Sequence, residues 1–200
     1  NEARIKEAMM LEIHHRIKNN LQVVSGLLSL QAYNSSTQEL KSKLQDSQGR
    51  IESIAGIHNI LYKSDSQEEI LVEEYFQDII SYNQTLFSVP IAFALAAEKI
   101  ILPMDKAIPL ALTLNELINN SYKHAFEKED SAQIKILLKK NKKEYEFYYS
   151  DNGTFKKNEE DRVSMGMKII EMMISQLKGE LTIQKESNFQ LIVRFPIIGD

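Results

Sequence analysis

Residues 12–21 read Glu12-Ile13-His14-His15-Arg16-Ile17-Lys18-Asn19-Asn20-Leu21 and lie within a longer run of regularly spaced apolar residues. The apolar positions recur every three or four residues, which is typical of an amphipathic helix: Ile5, Met9, Ile13, Ile17, Leu21, Val24 and Leu28. At about 100° per residue, Ile13 and Ile17 point into a core while His15 points roughly the opposite way. The pattern therefore predicts a helix that presents His15 on its polar face and His14 on the flank.

An exposed histidine of this kind can act as a nucleophile. Near neutral pH much of the imidazole population is neutral, so a ring nitrogen offers its lone pair to an electrophile such as phosphate. Arg16, Lys18 and Asn19 supply polar groups beside His15. A solvated helix face with two ordinary histidines explains the same residues equally well.

Composition limits the remaining possibilities. The 200 residues suffice for one domain or two small ones, and the formal net charge of −4 disfavours nucleic acid as a partner. Without cysteine the chain has no disulfide and no Cys-based zinc site, which fits a reducing compartment. The most apolar stretch, residues 89–97, is too short to cross a bilayer, and no signal peptide is visible. We expect a cytoplasmic segment without membrane contact, whether its parent protein is soluble or membrane-anchored.

The first third of the chain predicts a helical hairpin. One helix runs from about Glu2 to Tyr33, turn-forming residues occupy 34–37, and a second helix follows. The apolar stripe of the second helix consists of Leu40, Leu44, Ile51, Ile54, Ile57 and Leu61. A hairpin cannot bury two such stripes alone, so we expect two copies to pair into a four-helix bundle. Residues 1–63 are therefore predicted to form a dimerising hairpin, followed by a polar hinge that ends at Gln67. Since the chain starts at Asn1 inside the helical pattern, we expect it to be the C-terminal part of a longer protein.

Residues 68–200 predict a second domain of α+β class. Helices are expected at 72–87, 105–125 and 165–177, and strands at 91–95, 133–138, 145–149, 181–184 and 190–195. The basic run 139–143 is expected to be a solvated hairpin tip. This order indicates two layers, with helices on one face of a mostly antiparallel sheet.

The segment from His14 to Gln22 closely resembles the H box of sensor histidine kinases, in the subfamily whose box runs H-H-R-[IV]-K-N-N-L-Q. In that subfamily the histidine directly before the arginine accepts the phosphoryl group. This histidine corresponds to His15, in agreement with the helical pattern. The resemblance continues through an N box, a partial G1 box and a G2 box, and so covers nearly the whole chain.

The N-box resemblance lies in Leu114-Asn115-Glu116-Leu117-Ile118-Asn119-Asn120-Ser121-Tyr122-Lys123-His124-Ala125-Phe126. One helical turn separates Glu116 from Asn120, so both face the same way, and Lys123 and His124 are expected to continue that face. The resemblance implies that the Asn120 amide oxygen binds Mg²⁺ on ATP, that Glu116 holds a metal-bound water or acts as a base, and that Lys123 faces the phosphates. It also implies ATP-binding positions at Asn115, Asn119 and His124.

The G1 and G2 resemblances complete the implied nucleotide site. Asp151-Asn152-Gly153 follows a strand, where the Asp151 carboxylate can accept a hydrogen bond from the exocyclic amine of adenine and Gly153 lets backbone approach the ring. D-N-G is also a common turn. In Ser164-Met165-Gly166-Met167-Lys168, Ser164 stands where the family usually has glycine, and Gly166 lies at a helix start that favours phosphate. Residues 155–163 would form a lid over the nucleotide.

Two further glycines of the family are absent. Thr154-Phe155 and Ser187-Asn188-Phe189 stand where the family has Gly-containing elements. These departures affect the lid and the phosphate cradle and leave the metal and adenine contacts in place.

Taken with the resemblance, the sequence predicts the transmitter core of a sensor histidine kinase. ATP with Mg²⁺ would phosphorylate His15, and the phosphoryl group would pass to an aspartate of a response-regulator receiver domain. The base that assists His15 is unassigned, with Glu12 nearby and Asn19 one turn further on. Leu11 is a candidate contact for the regulator.

Two alternatives stay open. A histidine phosphotransfer protein with a degenerate ATP-binding-like domain is favoured by the missing glycines and disfavoured by Asn120, Glu116 and Asp151. A purely structural dimerisation scaffold is disfavoured by the exposed His15 within a full H box.

Overall fold

The computed structural model describes residues 2–61, 69–87, 89–126, 131–153, 165–184 and 188–197, without the side chains of residues 2–8, 10, 11, 13, 14 and 61. The chain divides into two compact units, Asn1–Asp65 and Ser66–Asp200. Several predictions fall outside this description: the hinge at 63–67, the lid at 155–163, Ser164, and the side-chain directions of Leu11, Ile13 and His14.

The first unit is the predicted helical hairpin. Helix α1 spans Glu2–Tyr33 and helix α2 spans Gln38–Leu61, and the two pack against each other. Between them, the Ser35 hydroxyl donates to the Gln31 carbonyl at 2.6 Å, and the Thr37 Oγ1 accepts from the Leu40 N–H at 3.3 Å. These bonds satisfy backbone groups that the two helix ends leave without intrahelical partners, so the turn falls where the sequence predicts it.

One face of α1 packs on α2, and a second apolar face stays exposed. Half-buried and buried positions recur with helical spacing at Leu21, Ser25, Leu28 and Ala32. Ser25 also donates a hydrogen bond of 3.1 Å to Glu52 of α2, which identifies the packed face. The expectation that Ile17 lies in a core is wrong for a single chain, since Ile17 is 36% exposed. Two helices offer only one mutual contact face, and Ile17 lies beside it.

The second unit contains two sheets. Strands β1 (Glu69–Leu71) and β3 (Ile101–Pro103) form a small antiparallel pair that the sequence does not predict. The main sheet has the order β2-β4-β5-β7-β6, in which β2 runs parallel to β4 and the other neighbours are antiparallel. Its strands are Ala92–Ala97 (β2), Gln133–Lys140 (β4), Glu144–Asp151 (β5), Glu180–Gln184 (β6) and Gln190–Pro196 (β7).

Three helices form the second layer of this unit. They are α3 (Val72–Leu86), α4 (Met104–Asn120) and α5 (Met165–Gln176). Every second residue of β5 is buried, as a strand with one covered face requires. Phe76 of α3 meets Phe147 of β5 edge to face, with 5.9 Å between ring centroids. The α+β class and the two-layer architecture are therefore confirmed.

The predicted helix over 105–125 changes type near its end. Helix α4 stops at Asn120, and Ser121–Ala125 form a π-helical turn, which we call the π segment. A π turn shifts the hydrogen-bond pattern from i→i+4 to i→i+5, so the α-helical spacing does not extend past Asn120. The expectation that Lys123 and His124 continue the face of Glu116 and Asn120 rests on α-helical spacing, which the structure does not keep beyond Asn120, and it stays a prediction. Both side chains are exposed.

Candidate functional site

Buried amide groups fix helix α4 against helix α3. Asn83 is buried, and its side-chain N–H groups lie 2.9 Å from the Ile79 carbonyl and 3.1 Å from the Asn115 Oδ1. Asn119 turns back on its own helix and donates to the Asn115 carbonyl at 2.9 Å. Asn115 is only 1% exposed. The structure thus places Asn115 in the contact between two helices, and its role in nucleotide binding stays a prediction.

Glu116, Asn120 and Gly166 come together where α5 starts against α4. A β-carbon on Gly166 would lie 2.8 Å from Glu116 Oε2 and 3.1 Å from Asn120 Oδ1. Glu116 is buried at 3% exposure, whereas Asn120 is half-buried. A larger residue at position 166, in the first turn of α5, would therefore press on the ends of these two side chains. The two oxygen-bearing side chains face one small region at the end of α4.

The D-N-G segment packs against the π segment. A β-carbon on Gly153 would lie 2.6 Å from the Ala125 carbonyl oxygen and would overlap the Ala125 side chain. Ala125 thus explains why position 153 has no side chain, and the predicted approach of a ligand ring to Gly153 stays a prediction. Asn152 anchors the same segment, since its side chain accepts from the Gln133 N–H at 2.7 Å and donates to the Ser131 carbonyl at 2.8 Å.

Asp151 is buried and holds two hydrogen bonds from the protein. Its Oδ2 accepts from the Ser121 hydroxyl at 2.6 Å, and its Oδ1 accepts from the Gly153 N–H at 3.0 Å. Burial raises the pKa of Asp151, and the bonds from Ser121 and Gly153 partly offset that rise. Because Ser121 opens the π segment, this carboxylate is tied directly to the end of α4.

Sequence reasoning missed Ser121 and Tyr149. The Tyr149 hydroxyl lies 2.8 Å from the Ser121 Oγ, deep in the unit. A signal was available, because Tyr149 occupies an inward-facing position of β5 two residues before Asp151, and a buried phenol needs a hydrogen-bond partner. Nothing local indicates that the partner lies in the π segment.

An aromatic pair supports the π segment from the other side. The rings of Phe87, which caps α3, and Tyr122 are stacked with 4.0 Å between centroids and 12° between planes. The π segment is therefore held by Phe87, Gly153 and Asp151, all from outside its own helix.

In the first unit, His15 is exposed on α1, as predicted. Asn19 and Lys18 are also exposed, and Asn19 follows His15 by one turn. Glu12 accepts a 2.9 Å ion-paired hydrogen bond from Arg16, so its carboxylate is directed to that neighbour. None of the helices within the described ranges is long and apolar enough to cross a membrane.

Comparison with known proteins gives the class. Residues 12–87 match the HisKA_2 family, described as histidine kinase. Over 203 aligned residues the chain is 30% identical to the sensor histidine kinase PdtaS of Mycobacterium tuberculosis (strain ATCC 25618 / H37Rv), with 96% of this chain and 40% of PdtaS covered. PdtaS of Mycolicibacterium smegmatis matches with the same identity and coverage. The chain thus spans about 40% of the length of these curated relatives.

Solved structures agree in fold. The blue-light activated histidine kinase EL346 of Erythrobacter litoralis superposes with a TM-score of 0.70 at 17% identity, over 95% of this chain and 59% of that one. The histidine kinase domain of the same protein gives 0.65 at 15% identity, over 88% and 96%. The sequence matches and this fold together support a sensor histidine kinase core.

Proposed function

We propose that the chain is an ATP-dependent protein-histidine kinase that phosphorylates itself on His15. One observation carries this proposal: the segments that resemble the N, G1 and G2 boxes meet around the end of α4. Gly166 packs on Glu116 and Asn120, and Asp151 bonds Ser121 in the π segment. Residues far apart in sequence thus lie close together around the end of α4. Packing of the helices alone does not require polar side chains at these positions.

The oxygen donors at this site fit Mg²⁺ carried by a nucleotide. Mg²⁺ prefers oxygen ligands and usually keeps several waters beside one or two protein groups and the substrate phosphates. The Asn120 amide oxygen is the proposed ligand, with Glu116 holding a metal-bound water or acting as a base. Within the described residues no cluster of three or more His, Asp or Glu side chains could hold a metal, and we propose that phosphate oxygens and waters supply the remaining ligands. When bound, the ion neutralises charge that develops on the phosphates.

The other residues have distinct proposed tasks. Asp151 is proposed to accept a hydrogen bond from the 6-amino group of adenine, and the exposed Lys123 and His124 are proposed to supply cationic or donor groups to the phosphates. Asn119 remains a proposed ATP contact through the part of its amide not used by Asn115. Ser164 and the first turn of α5 at Gly166 complete the proposed phosphate side.

For transfer of the γ-phosphoryl group to His15, the protein mainly has to position the ring nitrogen and the nucleotide. A ring nitrogen lone pair forms the N–P bond as the bond from the γ-phosphorus to the ADP oxygen breaks. The exposure of His15 makes the ring accessible to a nucleotide and to a second protein. Asn19 is proposed to orient the imidazole, and the base remains unassigned because Glu12 is directed to Arg16.

The exposed apolar residues of α1 in the first unit indicate a protein partner. Val23, Leu27 and Leu30 are 63%, 56% and 60% exposed and share one side of α1. We propose that a second copy covers the apolar residues of α1 left bare by α2, giving a homodimeric four-helix bundle. The phosphoryl group then passes to an aspartate of a response-regulator receiver domain. Because ATP and receiver domains are found in the cytoplasm, we place this segment there.

A phosphotransfer protein without kinase activity is the second candidate. Thr154-Phe155, Ser164 and Ser187-Asn188-Phe189 replace glycines on the side where phosphates would bind. Such a protein would retain His15 and its phosphate chemistry and would not hydrolyse ATP.

Incubation of the purified chain with γ-labelled ATP and Mg²⁺ separates the two. A kinase gives acid-labile, base-stable label that is lost in His15→Gln and in Asn120→Ala, while both variants keep the wild-type circular dichroism spectrum. Calorimetry with a non-hydrolysable ATP analogue, with and without Mg²⁺, reports binding directly. No binding at millimolar nucleotide, combined with His15 accepting phosphate from a phosphorylated receiver, would falsify the kinase proposal.

A further inference from the structure

Glu12, His15 and Arg16 are close neighbours on the exposed side of helix α1. His15 follows Glu12 by three positions and Arg16 follows it by four, so each lies about 5–6 Å from Glu12 between β-carbons. All three side chains are exposed. The histidine proposed to accept the phosphoryl group therefore has a carboxylate one turn before it and a guanidinium on the next residue.

An ion pair joins the two charged neighbours of His15. Arg16 Nε donates to Glu12 Oε1 at 2.9 Å, and the Arg16 and Glu12 side chains are 74% and 61% exposed. A pair as exposed as this one is weak, because both groups stay hydrated and salt screens their attraction. The bond also uses only one of several guanidinium donors of Arg16. In this arrangement the Glu12 carboxylate is directed to Arg16 and is held back from the imidazole.

A phosphoryl group that approaches His15 would compete with Glu12 for Arg16. The transferring group carries negative charge on several oxygens, and the planar guanidinium can bind two such oxygens at once. Its larger charge attracts Arg16 more strongly than the single charge of a carboxylate does. Because the existing ion pair is weak, the exchange of one partner for the other opposes the reaction very little.

We propose that Arg16 exchanges Glu12 for the incoming phosphoryl group, and that the released Glu12 carboxylate is the base that takes the imidazole proton of His15. One ring nitrogen forms the N–P bond, and the electron pair of the breaking P–O bond stays on ADP. The proton of the other ring nitrogen passes to Glu12, which then loses it to water. The base thus becomes available only when a phosphoryl group is present. The inference rests on the proposed kinase function.

The test measures single-turnover phosphorylation of the full chain by γ-labelled ATP and Mg²⁺ at saturating nucleotide. Glu12→Gln should lower the rate by about a hundredfold or more, the usual contribution of a general base. Arg16→Gln should lower it by about tenfold or more, as for the loss of a charge-assisted hydrogen bond. Calorimetry with a non-hydrolysable ATP analogue should give wild-type affinity for both variants, and circular dichroism should give wild-type helix content.

Glu39→Gln is the matched control. Glu39 pairs with Lys43 at the same spacing on helix α2, and both side chains are exposed. This variant removes an equivalent helix-surface ion pair away from His15, so it should phosphorylate at the wild-type rate.

Two further measurements separate catalysis by Glu12 from a structural role. Formate should restore the rate of Glu12→Ala in proportion to its concentration, because a small carboxylate can enter the vacated exposed position, and chloride at equal ionic strength should not. In the Arg16→Gln background, Glu12→Gln should still lower the rate, since the base is needed even when no guanidinium holds it. A carboxylate that served only to hold Arg16 would have no effect there.

Three results overturn the inference while the proposed function stands. They are a wild-type rate in Glu12→Gln, no effect of Glu12→Gln in the Arg16→Gln background, and no restoration of Glu12→Ala by formate. Weaker nucleotide binding with an unchanged rate at saturation would also overturn it, because Glu12 would then act on binding. A wild-type chain that takes no label from ATP contradicts the proposed function itself, and the inference with it.

Discussion

Gly166 faces the carboxylate of Glu116 so closely that a β-carbon on the glycine would lie 2.8 Å from Glu116 Oε2. The next nearest atom would be Asn120 Oδ1 at 3.1 Å. The start of α5 is therefore shaped by the two side chains proposed to hold Mg²⁺ and its water. A methyl group at position 166 would displace these side-chain ends and would leave the backbone of α4 in place.

Gly166→Ala should accordingly impair function more than stability. The atoms in the way are the ends of side chains, which can shift at modest cost, but their shift displaces the oxygens at the metal position. We expect Mg²⁺-dependent ATP binding to weaken by about tenfold or more, as for loss of a well-placed charged contact. Calorimetry and thermal unfolding on the same sample measure both effects. Gly26→Ala is the control, because nothing lies within 4 Å of its added carbon, and wild-type binding by Gly166→Ala would contradict this account.

Gly153→Ala should impair stability more than nucleotide binding. Its β-carbon would meet the backbone of Ala125, 2.6 Å from the carbonyl oxygen and 2.8 Å from the carbonyl carbon. Because backbone must move, we expect a loss of about 1–3 kcal/mol in the free energy of unfolding, typical of overpacking. Urea unfolding of the full chain gives the number. A smaller loss than that of Gly166→Ala would show that the π segment yields more easily than its contacts indicate.

His15 should take the phosphoryl group, and His14 should not. The helical pattern places only His15 opposite the apolar stripe, and His15 is exposed. His15→Gln should abolish the acid-labile, base-stable label, while His14→Gln should leave a substantial part of it. The reverse result would mean that the helical phase assigned to α1 is wrong.

Removal of the hairpin should remove the dimer. The full chain is expected to be dimeric by light scattering, and a chain that begins near residue 66 is expected to be monomeric. Replacing Val24 and Leu27, which are 43% and 56% exposed, with glutamate should weaken the full-length dimer, since two charges would enter an apolar contact. A matched double change to glutamine tests packing without charge. A monomeric full-length chain, or a dimeric truncation, contradicts the proposed interface.

Acid should destabilise the first unit through His58. Burial lowers the pKa of His58 below its usual 6.5. Between the lowered pKa and 6.5 the unfolded chain binds more protons than the folded one, so the free energy of unfolding falls as pH decreases through this window. Thermal unfolding of the full chain at pH about 7.5 and about 5.5 should show a larger loss for wild type than for His58→Gln. Equal losses would show that His58 does not contribute to the acid response.

The sequence predicts those features that depend on local periodicity. The ends of α1 and α2 and the two strands that meet at the basic turn follow from apolar spacing and turn residues, which act over a few positions. The three-residue strands β1 and β3 are too short to leave a pattern. The π segment depends on contacts from Phe87, Gly153 and Asp151, and none of these is adjacent to it in sequence.

In the candidate site, too, the sequence predicts what local helical spacing decides and does not predict what distant contacts decide. The spacing of Glu116 and Asn120 predicts a shared helix face, because α-helical geometry holds up to Asn120. Asn115 belongs to the same motif, but the approach of α3 decides what it contacts, and a single sequence does not contain that information. Ser121 and Tyr149 were missed for the same reason, since their bond joins residues 28 positions apart.

The bond between Asn83 and Asn115 has a consequence for how this family varies in evolution. A buried amide pair tolerates loss of both partners far better than loss of one, because a single replacement leaves an amide without its partner. Position 115 should therefore change in step with position 83, 32 residues earlier, and independently of Glu116 and Asn120. Relatives in which both amides are replaced by apolar residues would keep Glu116 and Asn120 but lack the asparagine at position 115. A motif search that requires asparagine at that position would miss them.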